Sequence, residues 1–212
     1  AASGLGRATA LAFAAQGAQM VLADVDAAGL EATRATVAEK GGEAIAVPTD
    51  ISDAATCLAL APKAVEAFGK LDVVCNVAGA FRFDHATAIT PEIWDRIHGV
   101  NVRGPFFVIQ AALPHLIESA GAVVNVASAS AFLGHAYLAH YASSKAALVN
   151  LTKSLAMEYI HSPVRINAIA PGGINLDDDG NVEMVIDAGT VLEFYLAMCE
   201  AEGHPRPNII GA

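Results

Sequence analysis

Short apolar runs alternate with longer amphipathic stretches along the whole chain. Residues 19–23, 44–47, 71–75, 122–127 and 165–170 read as strands. They are nearly continuously apolar, as strands covered on both faces are. Helical patterns run over 6–16, 27–40, 53–68, 91–118, 138–160 and 182–201. Most strands are followed by a helix, which implies βαβ crossovers. The predicted fold is α/β, a doubly wound parallel sheet with helices on both faces, in a single domain over 1–212. In such a fold the apolar runs are core, and chemistry belongs to the loops at the strand ends.

Composition narrows the function. The chain is 54% hydrophobic and 16% charged, which excludes intrinsic disorder. Aromatic residues are only 6%, so helices packed closely on a sheet are expected rather than an aromatic-rich sandwich. Net charge is −10, with 12 basic against 22 acidic residues, and this disfavours a nucleic-acid or anionic-membrane partner. Cys57, Cys75 and Cys199 are odd in number and far apart. No metal site or disulfide framework is expected, and a cytoplasmic location fits best. The charge-free stretch over 119–134 is too short to span a bilayer and carries Asn125 as well as serines and glycines.

Candidate chemistry begins at Gly4-Leu5-Gly6, which opens the first helix. Glycines there let the backbone approach a pyrophosphate, and a helix start offers free N–H groups and a positive dipole end. Asp24 follows the next strand, 18 residues after Gly6, where a carboxylate can bond an adenosine ribose. Its charge repels a 2′-phosphate, and no basic residue stands beside it in Ala23-Asp24-Val25-Asp26. The expected cofactor is NAD rather than NADP. The plainer role for Asp24, capping the helix at 27, can be filled by Asp26 instead.

Tyr141 and Lys145 lie four apart in a helical stretch and so share a face. A free tyrosine, with a pKa near ~10, is a poor base at neutral pH. A neighbouring ammonium stabilises the phenolate, and the pair can then act as a general acid/base. Alone, a surface pair is the plainer reading. Ser128 lies 13 residues before Tyr141 at a strand end, where its hydroxyl can bond a substrate oxygen. Asn101 precedes Pro105 by four residues. Pro105 lacks an N–H, so a kink leaves the Asn101 carbonyl free to hold a water; a packing kink is the alternative.

Together these residues resemble the short-chain dehydrogenase/reductase family over almost the whole chain. The start, Ala1-Ala2-Ser3-Gly4-Leu5-Gly6, resembles its glycine motif without the first Thr and Gly. Asp50-Ile51 resembles the adenine-binding pair, and Asn76-Val77-Ala78-Gly79 is similar to Asn-Asn-Ala-Gly with Cys75 in place of the leading Asn. Pro171-Gly172 resembles the turn facing the nicotinamide, though Leu176 stands where a Thr is frequent. The resemblance implies a Rossmann-like fold and a catalytic tetrad of Asn101, Ser128, Tyr141 and Lys145. It implies cofactor contacts from Ser3, Gly4, Leu5, Gly6, Asp24, Asp50, Ile51, Asn76, Ala78, Gly79, Pro171, Gly172 and Ile174, together with Tyr141 and Lys145. The implied reaction is hydride transfer between NAD(H) and a secondary alcohol or ketone. The implied assembly is a homotetramer or dimer packed through 91–118 and 138–160. Ser130, Phe132, His135, Tyr137, His140 and the Phe81-Arg82-Phe83 loop are expected to line the substrate pocket, although a solvated role is the plainer one for each histidine.

Three further expectations complete the reading. The chain starts without a strand ahead of its first helix and ends in a loop at 207–212, so it reads as a fragment lacking the family's first and last strands. That predicts an open slot in the middle of the sheet. The acidic run from Asn175 to Gly180 fits half a calcium loop, but Ile186 stands where a bidentate Glu is needed, so a solvated loop is expected. The rival functions are a catalytically silent NAD-binding sensor or scaffold on the same fold, and a dehydratase or epimerase, for whose second substrate region the chain has no room.

Overall fold

The computed structural model describes residues 1–172, 174–176, 182–184 and 209–211. The five predicted strands form as β1 (Gln19–Asp24), β2 (Glu43–Pro48), β3 (Val73–Asn76), β4 (Ala122–Val126) and β5 (Arg165–Ile169). Helices α1 (Gly4–Ala14), α2 (Ala27–Glu39) and α7 (Ala139–Glu158) also fall where their periodicity places them. Asp26 caps α2, its carboxylate accepting from the backbone N–H groups of Ala28 and Gly29.

Two predicted helices are divided. The stretch 53–68 becomes α3 (Ala54–Leu58) and α4 (Leu60–Phe68). Pro62 offers no N–H to the Leu58 carbonyl four residues earlier, so the helical ladder breaks between them. The stretch 91–118 becomes α5 (Pro91–His98), a π-helical turn over Gly99–Arg103, and α6 (Gly104–Glu118). The expected kink is therefore a π bulge that contains Asn101, followed by Pro105 in the first turn of α6.

The helix predicted over 182–201 is corrected at its start. Ile174–Leu176 and Val182–Met184 are strands β6 and β7, paired antiparallel. The register sets Ile174 opposite Met184 and Leu176 opposite Val182, so the apolar positions follow a period of two here. The rest of that predicted helix, and Asp177 to Gly180 of the acidic run, lie outside the described residues.

The open slot is also corrected. Among the described residues the main sheet has six parallel strands in the order β2-β1-β8-β3-β4-β5, with β8 at Ile209–Gly211. β8 pairs with both neighbours: Ile210 lies opposite Val21 on one side and Val74 on the other. An empty slot would leave backbone donors and acceptors of β1 and β3 without partners. A three-residue strand meets them, and the end of the chain is not simply a loop.

Alternate strand residues feed two cores. Val21, Ala23, Val74 and Val123 pack with α3, α4, α6 and α7 residues such as Leu60, Ile109 and Leu155. Met20, Leu22, Val73, Cys75 and Val124 pack with Phe13 of α1 and Leu30 and Val37 of α2. This two-sided burial is what the continuous apolar runs encode, and each buried Val or Leu contributes ~1.5–3 kcal/mol. No described helix is long and apolar enough to cross a membrane.

Candidate active site

The strand ends converge on a cleft of about 380 Å³. Ser3 to Gly6 at the start of α1 form one wall. Asp24 and Val25 after β1, Thr49 to Ile51 after β2, and Val77 to Ala80 after β3 form the others, with Arg96 and Val100 beside them. Ser3, the N-cap of α1, makes no side-chain cap bond, so its hydroxyl leaves the first-turn N–H groups to other acceptors. Gly4 has φ +52°, a left-handed conformation that glycine adopts without strain.

Two carboxylates stand in this cleft. Asp24 accepts from the Ala1 ammonium at 2.7 Å, the Ala2 N–H at 2.8 Å and the Asp26 N–H at 3.1 Å. Burial works to raise its pKa, but these bonds together hold it below the ordinary carboxylate value. Asp50 accepts from the hydroxyl and N–H of Ser52 at 2.7 and 2.9 Å, and from Arg96 at 3.0 Å. The Ser52 bonds, with help from Arg96, keep Asp50 ionised more readily than a free aspartate.

A second, narrower cleft of about 200 Å³ adjoins the first. Leu5, Val77 and Gly79 line both. Beyond them stand Phe81, Ser128, Tyr141, Lys145, Pro171 and Gly172. Tyr141 and Lys145 sit one turn apart on α7, as their spacing requires. Lys145 is buried, and its ammonium donates to the Val126 carbonyl at 2.7 Å and lies 5.9 Å from the Tyr141 ring centroid. Burial pushes the Lys145 pKa down to about 8. The Ser128 side chain accepts from the Ser130 N–H at 3.2 Å, at the start of a 3-10 turn that follows β4.

Asn101 lines neither cleft. Fully buried, its side chain bonds both backbone groups of Ala80: Nδ2 donates to the carbonyl at 2.9 Å, and Oδ1 accepts from the N–H at 2.8 Å. Nδ2 also donates to the Ser144 hydroxyl at 2.9 Å. The π bulge thus ties the end of β3 to α7. A β-carbon built on Gly79 would lie 3.4 Å from Lys145 Nζ and 3.5 Å from Asn101 Oδ1, so the Gly79 backbone runs close to both side chains.

Other expected residues are placed differently. Asn76 is buried beneath the cleft, donating to Asn125 Oδ1 at 2.8 Å, while Asn125 donates to Thr152 at 2.9 Å. It braces β3 against β4 and α7. His140 is not a pocket residue: it is fully buried, with Nε2 3.2 Å from Asp84 Oδ2. Ser130, His135 and Tyr137 line neither cleft, and the latter two are exposed. Ile174 opens β6. Sequence reasoning overlooked Ser144, which α7 presents to Asn101, and Arg96, which clamps Asp50. The only sequence signal for Ser144 was its place beside Lys145. Arg96 carried none, being 46 residues from Asp50.

Comparison with known proteins gives a consistent picture. The family profile described as short chain dehydrogenase matches residues 1–183. A sorbitol dehydrogenase of Cereibacter sphaeroides is 35% identical over 176 residues, covering 82% of this chain and 68% of that protein. The structure of an NAD⁺-bound xylitol dehydrogenase superposes with a TM-score of 0.77 at 32% identity, over 81% of this chain and 66% of the other. A metagenomic short-chain oxidoreductase in complex with NADP superposes with a TM-score of 0.83 at 26% identity, over 100% and 92%.

Proposed function

The chain belongs to the short-chain dehydrogenase family, and from that premise we propose that it is an NAD-dependent oxidoreductase of secondary alcohols and ketones. One observation carries the reading. The narrow cleft that holds Ser128, Tyr141 and Lys145 shares the wall residues Leu5, Val77 and Gly79 with the wide cleft that holds the α1 start and Asp24. A dinucleotide needs an anion site, a ribose acceptor and a reacting end in line, and these residues fit that demand.

When bound, NAD supplies the hydride acceptor. Ser3 to Gly6 would hold its pyrophosphate, and Asp24 would accept from its ribose. Asp50 and Ile51 flank the adenine. Ala78, Gly79, Pro171, Gly172 and Ile174 would complete its site. Tyr141 takes the proton from the substrate hydroxyl in oxidation and returns it in reduction. Lys145, still largely protonated at neutral pH, stabilises the phenolate so formed and bonds the nicotinamide ribose. Ser128 donates to the same substrate oxygen as charge develops on it. Asn101, whose carbonyl finds no N–H on Pro105, is the group that would hold a water through which protons leave from Lys145.

A homotetramer or dimer packed through α5, α6 and α7 belongs to this reading, supported by the exposed Trp94 and Met157 on those helices. A cytoplasmic location does too, resting on the buried free thiols of Cys57 and Cys75. The test is titration of NAD and NADP onto the purified protein, followed by turnover on a panel of secondary alcohols. Tighter NAD binding with NADH formation is expected. Preference for NADP overturns the cofactor assignment, and cofactor binding without turnover on any substrate favours the silent sensor.

A further inference from the structure

A buried carboxylate and a buried imidazole meet outside the catalytic set. Asp84 belongs to the loop between β3 and α5, and His140 to the first turn of α7, directly before Tyr141. Asp84 is 9% exposed and His140 is fully buried, with Nε2 3.2 Å from Oδ2. Among the described residues neither ring nitrogen of His140 meets hydrogen-bond geometry with a partner, and its polar contact is the 3.2 Å approach of Nε2 to Asp84 Oδ2. Asp84 is anchored twice more: Oδ1 accepts from Arg82 Nε at 2.9 Å, and its N–H donates to the Tyr137 carbonyl at 2.9 Å.

The same loop carries the aromatic wall of the narrow cleft. Phe81 meets Tyr141 edge to face, with centroids 4.8 Å apart, and Phe83 meets Phe81 at the same distance and angle. Phe81 is 54% exposed and Phe83 65%, so among the described residues this wall has little packing beyond its own rings and Tyr141. Asp84, one residue after Phe83, is the buried polar point through which this segment meets α7.

We propose that Asp84 and His140 are positioning residues: their buried contact fixes Phe81 against Tyr141 and so sets how the substrate's carbon skeleton seats beside the phenol. This rests on the dehydrogenase reading. His140→Leu keeps an apolar filling and removes the polar contact. Its expected effect is a loss of about tenfold to a hundredfold in kcat/KM for the alcohol, as displaced reacting groups cause, with NADH affinity unchanged. His140→Gln puts a polar amide back beside Asp84 and recovers most of the loss. Asp84→Asn keeps the shape of the other partner and reads the same contact if His140→Leu does not fold. Unchanged kcat/KM in a folded variant, a parallel loss of NADH affinity, or no recovery in His140→Gln overturns the proposal.

A second readout needs no turnover. In protein labelled with 4-fluorophenylalanine, the Phe81 resonance is assigned through Phe81→Leu. That resonance shifts or broadens in His140→Leu if the contact holds the wall, and an unchanged signal refutes the proposal. A wild type that binds NADH but converts no alcohol or ketone refutes the dehydrogenase reading, and the fluorine spectrum then decides the positioning role by itself.

Discussion

The Lys145 ammonium donates to the carbonyl oxygen of Val126 at 2.7 Å, joining the middle of α7 to the last residue of β4. Burial lowers its pKa from the ordinary 10.5 to about 8. The unfolded chain therefore binds more protons than the folded one between about pH 8 and 10.5. The contribution of this group to stability rises with pH across that window, and below it the buried charge opposes folding. Urea unfolding of wild type and Lys145→Met, measured at intervals from pH 7 to 10, reads this directly. Wild type gains stability relative to the variant as pH rises, and a constant difference contradicts the burial argument.

Asn101→Ala is expected to destabilise the fold. It strips partners from the N–H and carbonyl of Ala80 and from the Ser144 hydroxyl. Each buried group left unsatisfied costs ~1–3 kcal/mol. Denaturant unfolding should show a clear loss of stability with an unchanged slope. A variant as stable as wild type would mean that water replaces the amide without cost.

Much of this arrangement is legible in the sequence. The strands β1 to β5 announce themselves because burial on both faces demands unbroken apolar runs. Tyr141 and Lys145 share a cleft because helical spacing puts them on one face. What escapes is set by contacts between distant segments. His140 lies next to Tyr141 in sequence, yet one residue along a helix turns the side chain by about 100°, here into the core against Asp84. Asn76 looks like a cofactor residue from its motif, but β3 and β4 pair it with Asn125. β8 is three residues long, too short for any periodic signal, and only the unmet backbone of β1 and β3 explains its place. The break at Ala59 was readable from Pro62, which the helical pattern overrode.

Ile210→Pro tests the middle of the sheet. Ile210 lies opposite Val21 and Val74, so a proline there removes a backbone donor between two paired strands. A lower thermal midpoint is expected, with cofactor affinity reduced because Asp24 and the Val77 to Ala80 segment follow the two neighbouring strands. An unchanged midpoint would show that β8 contributes nothing to the sheet in solution.

Asp24→Ala addresses cofactor choice. Asp24 is the carboxylate at the end of β1 in the wide cleft, and Arg96, the arginine lining that cleft, is engaged by Asp50. Removing the carboxylate takes away both a ribose acceptor and a repulsive charge. Affinity for NAD should fall and that for NADP should rise, as read by fluorescence titration of the reduced forms. Equal weakening of both would place the discrimination elsewhere.

The most direct test follows the absorbance of reduced nicotinamide as the purified protein meets NAD and a panel of secondary alcohols, in wild type and in Tyr141→Phe. The variant loses the proton-transfer group and keeps the ring, so kcat should fall ~10²–10⁴-fold while NADH affinity stays unchanged. Turnover retained in Tyr141→Phe would contradict the assignment of Tyr141 as the acid/base.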